Sequence, residues 1–143
     1  MEGISAAASV IGVIQLTGSI VTICSSYLRE VKSAQDDIIT LQRTVAGLEG
    51  TVQRLREFLQ GPHGTGLITS SLLVDNITDC LSALGALEKR IDPGKRQGMM
   101  KRLGLRAFKW PLKRKEVDKS IQDLESYKSS FILALQIDQT YIS

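Results

Sequence analysis

The sequence predicts an all-α protein: an antiparallel four-helix bundle with a largely uncharged N-terminal helix and room for one extra short helix. Three observations carry this. Apolar residues recur at helical spacing along most of the chain, strand signals are nearly absent, and two breaks fall at the Gly- and Pro-containing segments 61–66 and 92–94. A chain of 143 residues fits one domain, residues 1–143, and is long enough to bury a core without staples.

The first helix is expected over residues 3–30. Gly3 to Leu28 form 26 consecutive positions without Lys, Arg, Asp, Glu or His. As one helix this run is about 39 Å long, against a bilayer hydrocarbon core of ~30 Å. Ile4, Ala7, Ile11, Ile14, Gly18, Val21 and Leu28 give one apolar seam, and Val10, Val13, Leu16, Ile20, Ile23 and Tyr27 fill most of the remaining circumference. Ser5, Ser9, Gly12, Gln15, Ser19, Thr22 and Ser26 form a narrow stripe of small or uncharged residues. A helix apolar nearly all round is either the central helix of a bundle or a membrane segment. The expectation is that the other three helices bury it at rest. Ala8-x-x-x-Gly12 adds a small-xxx-small spacing of the kind used between membrane helices. A secretory signal is not expected, because Glu2 stands where a basic region belongs and the apolar run is long and serine-rich.

The second helix is expected over 34–60. Ile38, Leu41, Val45, Leu48, Val52, Leu55 and Leu59 alternate spacings of three and four, with charged residues opposite and Ser33 as the expected N-cap. Gly61-Pro-His-Gly-Thr-Gly66 ends it. That loop is not a phosphate-binding loop, since Leu67 and Ile68 follow where Lys and Ser/Thr are required. The third helix, over 69–91, carries Leu73, Ile77, Leu81, Leu84, Leu87 and Ile91 and stops at Asp92-Pro93-Gly94. The fourth, over 112–140, has Pro111 near its first turn and buries Val117, Ile121, Leu124, Phe131 and Leu135, with Tyr127 alongside.

Catalytic and metal constellations are not expected. His63 is the sole histidine, Cys24 and Cys80 form no ligand spacing, and no nucleophile–base pairing or paired carboxylates stand out. The expectation is a non-enzymatic domain without cofactor or metal, in a reducing cytosol.

The net charge of +3 conceals a basic belt: residues 89–115 hold 11 basic side chains and one acid, Asp92. Lys89, Arg90, Lys95, Arg96, Lys101, Arg102, Arg106, Lys109, Lys113, Arg114 and Lys115 are interleaved with Met99, Met100, Leu103, Leu105, Phe108 and Trp110. Such a mixture suits an anionic membrane interface. Each engaged Lys or Arg is worth ~1 kcal/mol near an anionic surface, so about five give roughly 0.2 mM affinity, useful mainly in an oligomer. Lys95, Arg96, Lys101, Arg102, Arg106, Lys109, Trp110, Lys113, Arg114 and Lys115 are the candidate lipid-binding set. A solvated loop with Trp110 capping the core remains open, and nucleic acid is the least expected partner.

The opening Met1-Glu-Gly-Ile-Ser-Ala-Ala-Ala-Ser-Val-Ile-Gly-Val-Ile-Gln-Leu-Thr-Gly18 resembles the start of the fungal N-terminal domain found on STAND proteins, which are NLR-like receptors. Trp110-Pro-Leu-Lys-Arg-Lys-Glu-Val117, with Ile121, Leu124, Glu125, Tyr127, Lys128 and Leu133-Ala-Leu-Gln136, is similar to the last helix of that domain. The resemblance runs from residue 1 to about 140, on hydrophobic signatures, and extends to the HeLo-like domains. It implies an α-helical bundle that executes regulated cell death in innate immunity or incompatibility. Its N-terminal helix would be released to target the plasma membrane and form pores. Ile4, Ile11, Gly12, Ile14, Gly18, Val21 and Leu28 become the candidate membrane-insertion residues. Implied partners are anionic lipids, further copies of the chain, and an upstream NLR-like receptor or fused NTPase and repeat domains. The implied location is cytoplasmic at rest and the plasma membrane on activation. A helical adaptor that binds a partner protein, with helix 1 always buried, is the alternative.

Overall fold

The computed structural model describes the backbone of residues 2–60, 70–94 and 109–142, and side chains over 7–60, 72–94 and 109–136. The described residues form four helices: α1 (Glu2–Glu30), α2 (Gln35–Gln60), α3 (Ser70–Ile91) and α4 (Arg114–Ile142). Helical periodicity thus leads to an all-α four-helix bundle, with each helix within about two residues of its expected bounds. The His63 loop and Met99–Phe108, where the sequence has room for the extra short helix, lie outside the described residues.

The chain alternates direction, but sequential helices are not always neighbours. α1 packs on α2 and α3, and α4 packs on α2 and α3. Four side-chain registers fix the directions. Gln42 Nε2 of α2 donates to Val21 O (3.0 Å) and Ser25 Oγ (2.8 Å) of α1, while Leu59 and Gln60 share a crevice with Ala7 and Ile11, an antiparallel pairing. Gly12 faces Leu81 and Tyr27 meets Ile91, so α1 and α3 run parallel. Arg114 pairs with Asp37 at 3.8 Å and Lys128 lies over Gly47, so α2 and α4 also run parallel. Arg90 pairs with Glu116, and Tyr127 feels Asp79 and Cys80, so α3 and α4 are antiparallel. The order around the bundle is therefore α1, α2, α4, α3, and the chain from Gln60 to Ser70 links opposite corners.

The core follows the seams of α2, α3 and α4 closely. Ile38, Leu41, Val45, Leu48, Val52 and Leu55 are buried, as are Leu73, Ile77, Leu84, Leu87 and Ile91, and Val117, Leu124, Phe131 and Leu135. Cys80 takes a core position, while Leu81 beside it is half-buried.

Helix α1 departs from expectation in two ways. It stands at a corner rather than at the centre, and only 28% of its apolar window is buried. Its buried seam is Val10, Val13, Thr17, Ile20, Cys24 and Tyr27, one position removed from the expected Ala7, Ile11, Ile14, Gly18, Val21 and Leu28. Hydrophobicity could not select between these faces, because both are apolar. Polar satisfaction and close approach favour the observed one. The Tyr27 hydroxyl donates to Ile91 O at 2.5 Å. Thr17 is fully buried because its Oγ1 donates to Ile14 O of the preceding turn at 2.8 Å. A Cβ at position 12 would lie 3.0 Å from Leu81 Cδ1, so glycine allows α1 and α3 to meet closely there.

Two helix starts also differ. α2 begins after Ala34, whose φ of 59° is left-handed and whose carbonyl receives Ile38 N–H at 3.0 Å; Ser33 is not the cap. Gln35 Nε2 instead donates backwards to Leu28 O and Val31 O, which satisfies carbonyls left open at the end of α1. α4 begins after Lys113, whose N–H donates to Glu116 Oε1 at 3.2 Å, one half of a capping box. Pro111 precedes that helix rather than lying in its first turn, and the segment before the helix buries Trp110 and Leu112.

Candidate functional site

The outward face of α1 is the first component. Ala8, Ile11, Gln15 and Thr22 are exposed, and no charge appears on this helix between Gly3 and Leu28. The other helices present charges outward: Asp36, Arg43, Arg54 and Glu57 on α2, Asp75 and Asp79 on α3, and Asp118, Lys119, Asp123 and Glu125 on α4. The charge-free run on α1 is therefore not explained by burial, which would leave the solvent side free to carry ions.

Of the expected insertion residues, Ile11 is 40% exposed. Gly12, Ile14, Gly18, Val21 and Leu28 are half-buried, and the Ile4 side chain lies outside the described set. Gly12 is engaged with Leu81 while Ala8 is exposed, so their four-residue spacing does not serve one contact in the bundle. Ile11 lines a small apolar crevice with Ala7, Val10, Leu59 and Arg56, whose buried Nε has no hydrogen-bond partner among the described residues.

The second component is the described flank of the basic belt. Lys89, Arg90, Lys109, Lys113, Arg114 and Lys115 are exposed at the end of the bundle where α1 and α3 finish and α4 begins. Arg90 and Arg114 have acid partners, Glu116 and Asp37; the 81% exposure of the Arg114 side chain makes the latter pair weak. Lys95, Arg96, Lys101, Arg102 and Arg106 lie outside the described residues. An open groove of about 400 Å³ separates the two flanks of the belt, lined by Lys89, Arg90, Asp92, Pro93, Gly94, Pro111 and Leu112.

Of the two sequence readings of Trp110, lipid-facing among the lysines or capping the core, its position matches the second: it is only 9% exposed. Its ring meets Tyr27 edge-on, with centroids 4.9 Å apart and planes at 85°. Its Nε1 is buried without a hydrogen-bond partner among the described residues. The apolar ring fills the bundle end and leaves the charges outside.

Tyr27 is the residue that sequence reasoning passed over. It was placed on the general circumference of α1, yet it joins that helix to both flanks of the belt. The available signal was chemical: a phenol within a helix otherwise bearing only small hydroxyls must find an acceptor when buried. Cys24 and Cys80 are free and buried, and burial pushes their thiols up to about 11 and about 12. They are poor nucleophiles near neutrality. Burial first, and then Asp79, Cys80 and Asp123, raises the Tyr127 phenol. Among the described residues no cluster of His, Cys, Asp and Glu could hold a metal ion.

The chain matches no protein-family model, no curated protein and no solved structure.

Proposed function

We propose that this chain is a non-enzymatic, membrane-targeting cell-death effector or signalling domain of the HeLo-like kind. At rest α1 belongs to the bundle. On activation it leaves its corner and enters the bilayer, while the basic belt holds the domain on anionic lipid and copies associate. One observation carries this: α1 exposes much of its surface, yet is uncharged over a length that spans a bilayer, with a mean hydropathy of 1.8 in its apolar window. The clustering of Lys109, Lys113, Arg114 and Lys115 near the end of α1 supports it, as does the resemblance of the first 18 residues to the fungal STAND-associated domain.

Energetically, release needs a receptor for α1. Its seam of Val10, Val13, Ile20, Cys24 and Tyr27 loses burial in the bundle and regains it in hydrocarbon. The belt can meet lipid in either state, but only the released helix enters hydrocarbon, so lipid binds the released state more tightly and that difference moves the equilibrium. The proposed location is cytoplasmic at rest and the plasma membrane when active, with an NLR-like receptor or fused NTPase module as the source of the trigger.

Vesicle co-sedimentation tests this reading. Binding should require anionic lipid, weaken with salt, and be followed by dye release. A second reading, a helical adaptor in which α1 never leaves, is favoured by the hydrogen bonds from Gln42 and Tyr27 that tie α1 to both neighbours. It is the conclusion to draw if the folded protein neither binds nor permeabilises vesicles in any activating condition.

A further inference from the structure

Ser33 stands on the four-residue connection between α1 and α2 and is followed by two acids, in the run Ser33-Ala34-Gln35-Asp36-Asp37. Only two Ser or Thr residues in the chain have Asp or Glu three positions on, Ser33 and Ser120. Ser120 lies inside α4 and is half-buried. Ser33 is exposed outside any helix, and its hydroxyl makes no hydrogen bond among the described residues. The base of the connection is closed. Val31 is buried and donates its N–H to Tyr27 O, while Gln35 Nε2 reaches back to Leu28 O and Val31 O. Lys32 and Ser33 are left as the exposed tip, and Asp36 is exposed in the first turn of α2.

We propose that Ser33 is a phosphorylation site for an acidophilic protein kinase, and that its phosphate weakens the hold of the basic end of the bundle on an anionic surface. A kinase of that class has a basic substrate groove, and an acid three residues past the acceptor supplies the matching charge. In the transfer, Ser33 Oγ attacks the γ-phosphorus of ATP. The Oγ–P bond forms, the bond from that phosphorus to the β–γ bridging oxygen breaks, ADP leaves, and the hydroxyl proton passes to the catalytic carboxylate of the kinase. Kinases read extended chain, so the first turn of α2 has to open from Ser33 to Asp36. Opening costs the Gln35 side-chain bonds and relieves the left-handed φ of 59° at Ala34. The effect on binding comes from where α2 begins. Asp37, four residues after Ser33, pairs with Arg114, so the connection lies at the end that carries Lys109, Lys113, Arg114 and Lys115. A phosphoserine adds about −1.5 to −2 charges at neutral pH. Beside these cations it should weaken binding to an anionic membrane roughly tenfold. The effect rests on the membrane reading above; the modification itself does not.

The test starts with the folded full chain, casein kinase II and MgATP, without lipid. Mass spectrometry should find a single phosphate, on the peptide that holds Ser33. Ser33→Ala should abolish it, and Asp36→Asn should slow it about tenfold through loss of a charge-assisted contact to the kinase. No incorporation into the folded chain overturns the site. So does phosphate on Ser120 in place of Ser33, or an equal rate for Asp36→Asn and the parent chain. So does modification of Ser33 in the urea-unfolded chain alone. The modified and unmodified chains are then compared on vesicles of phosphatidylcholine with phosphatidylserine. With helix content unchanged, the modified chain should bind about tenfold more weakly. Equal binding of the two forms overturns the proposed effect of the phosphate, as does weaker binding that comes with loss of helix. If the kinase modifies Ser33 and neither form binds vesicles, the modification site stands and the membrane reading falls.

Discussion

Replacing Ile11 by Asp separates what the bundle needs from what a bilayer would need. Ile11 is 40% exposed on the outward face of α1, so removing its side chain costs the folded state roughly 1 kcal/mol of burial. Part of that is offset locally. Arg56 lines the same crevice with an Nε that has no partner among the described residues, and the new carboxylate would stand beside it. In a spanning α1, position 11 lies roughly 7 Å from the midpoint of the 3–28 run. At a helix centre an Ile contributes about −0.3 to −0.6 kcal/mol and an Asp costs about 2.5–3.5, a swing of about 3–4 kcal/mol that is an upper bound at position 11. Half of it, about 2 kcal/mol, is still roughly thirtyfold in the inserted population. The assay pairs urea unfolding with dye release from anionic vesicles. The expected outcome is a folded protein, destabilised by about 1 kcal/mol or less, that binds vesicles through its belt and does not permeabilise them. Should Ile11 line a water-filled pore, the penalty shrinks, so Leu16→Asp on a different side of α1 is measured alongside. If both variants fold and release dye like the parent chain, the proposed role of α1 is wrong.

Three further outcomes are expected. Reversing Lys109, Lys113, Arg114 and Lys115 to Glu should leave helix content intact, because all four are exposed and acids suit the start of α4, while binding to anionic vesicles is lost; undiminished binding at low salt removes the belt from the mechanism. Ala34→Gly should raise stability by roughly 0.5–1 kcal/mol in urea titration, since the left-handed φ of 59° strains a residue with a Cβ. The Cys24 and Cys80 thiols are raised from 9.0 to about 11 and about 12, so between pH 9 and 12 the native state holds more protons than the unfolded chain. Stability should therefore be insensitive to these groups below pH 9 and fall as pH rises through that window, a fall that Cys24→Ala and Cys80→Ala should lessen.

The bounds and core faces of α2, α3 and α4 were legible because each alternates a single apolar stripe with charged residues, which leaves one way to face inward. The same logic failed on α1. With apolar side chains nearly all round, the choice between the Ile11 and Val10 faces rested on where Tyr27 finds an acceptor and where Gly12 admits Leu81, both properties of the neighbouring helix. The order of helices around the bundle was hidden for a related reason: a stripe says that a helix faces a core, not which helix stands beside it. Trp110 could be read from the sequence as interfacial or as a cap on the core, because lysines surround it; Pro111 and the cap at Lys113 keep this stretch out of the helix, and Trp110 and Leu112 turn inward while Lys109 and Lys113 stay out. The absence of charge on α1, on which the proposed function rests, was fully present in the sequence, whereas the position of that helix at a corner rather than at the centre was not.

The central claim is that the uncharged outward face of α1 passes from water into hydrocarbon. Gln15 is exposed on that face near the middle of the run, and the two native thiols are buried, so Gln15→Cys can be labelled selectively with an environment-sensitive fluorophore near neutral pH. On anionic vesicles the label should shift to shorter wavelength and be quenched by lipids brominated on their acyl chains. A chain that co-sediments with the vesicles and releases their contents while the label keeps its aqueous emission and escapes the brominated lipids contradicts the claim directly.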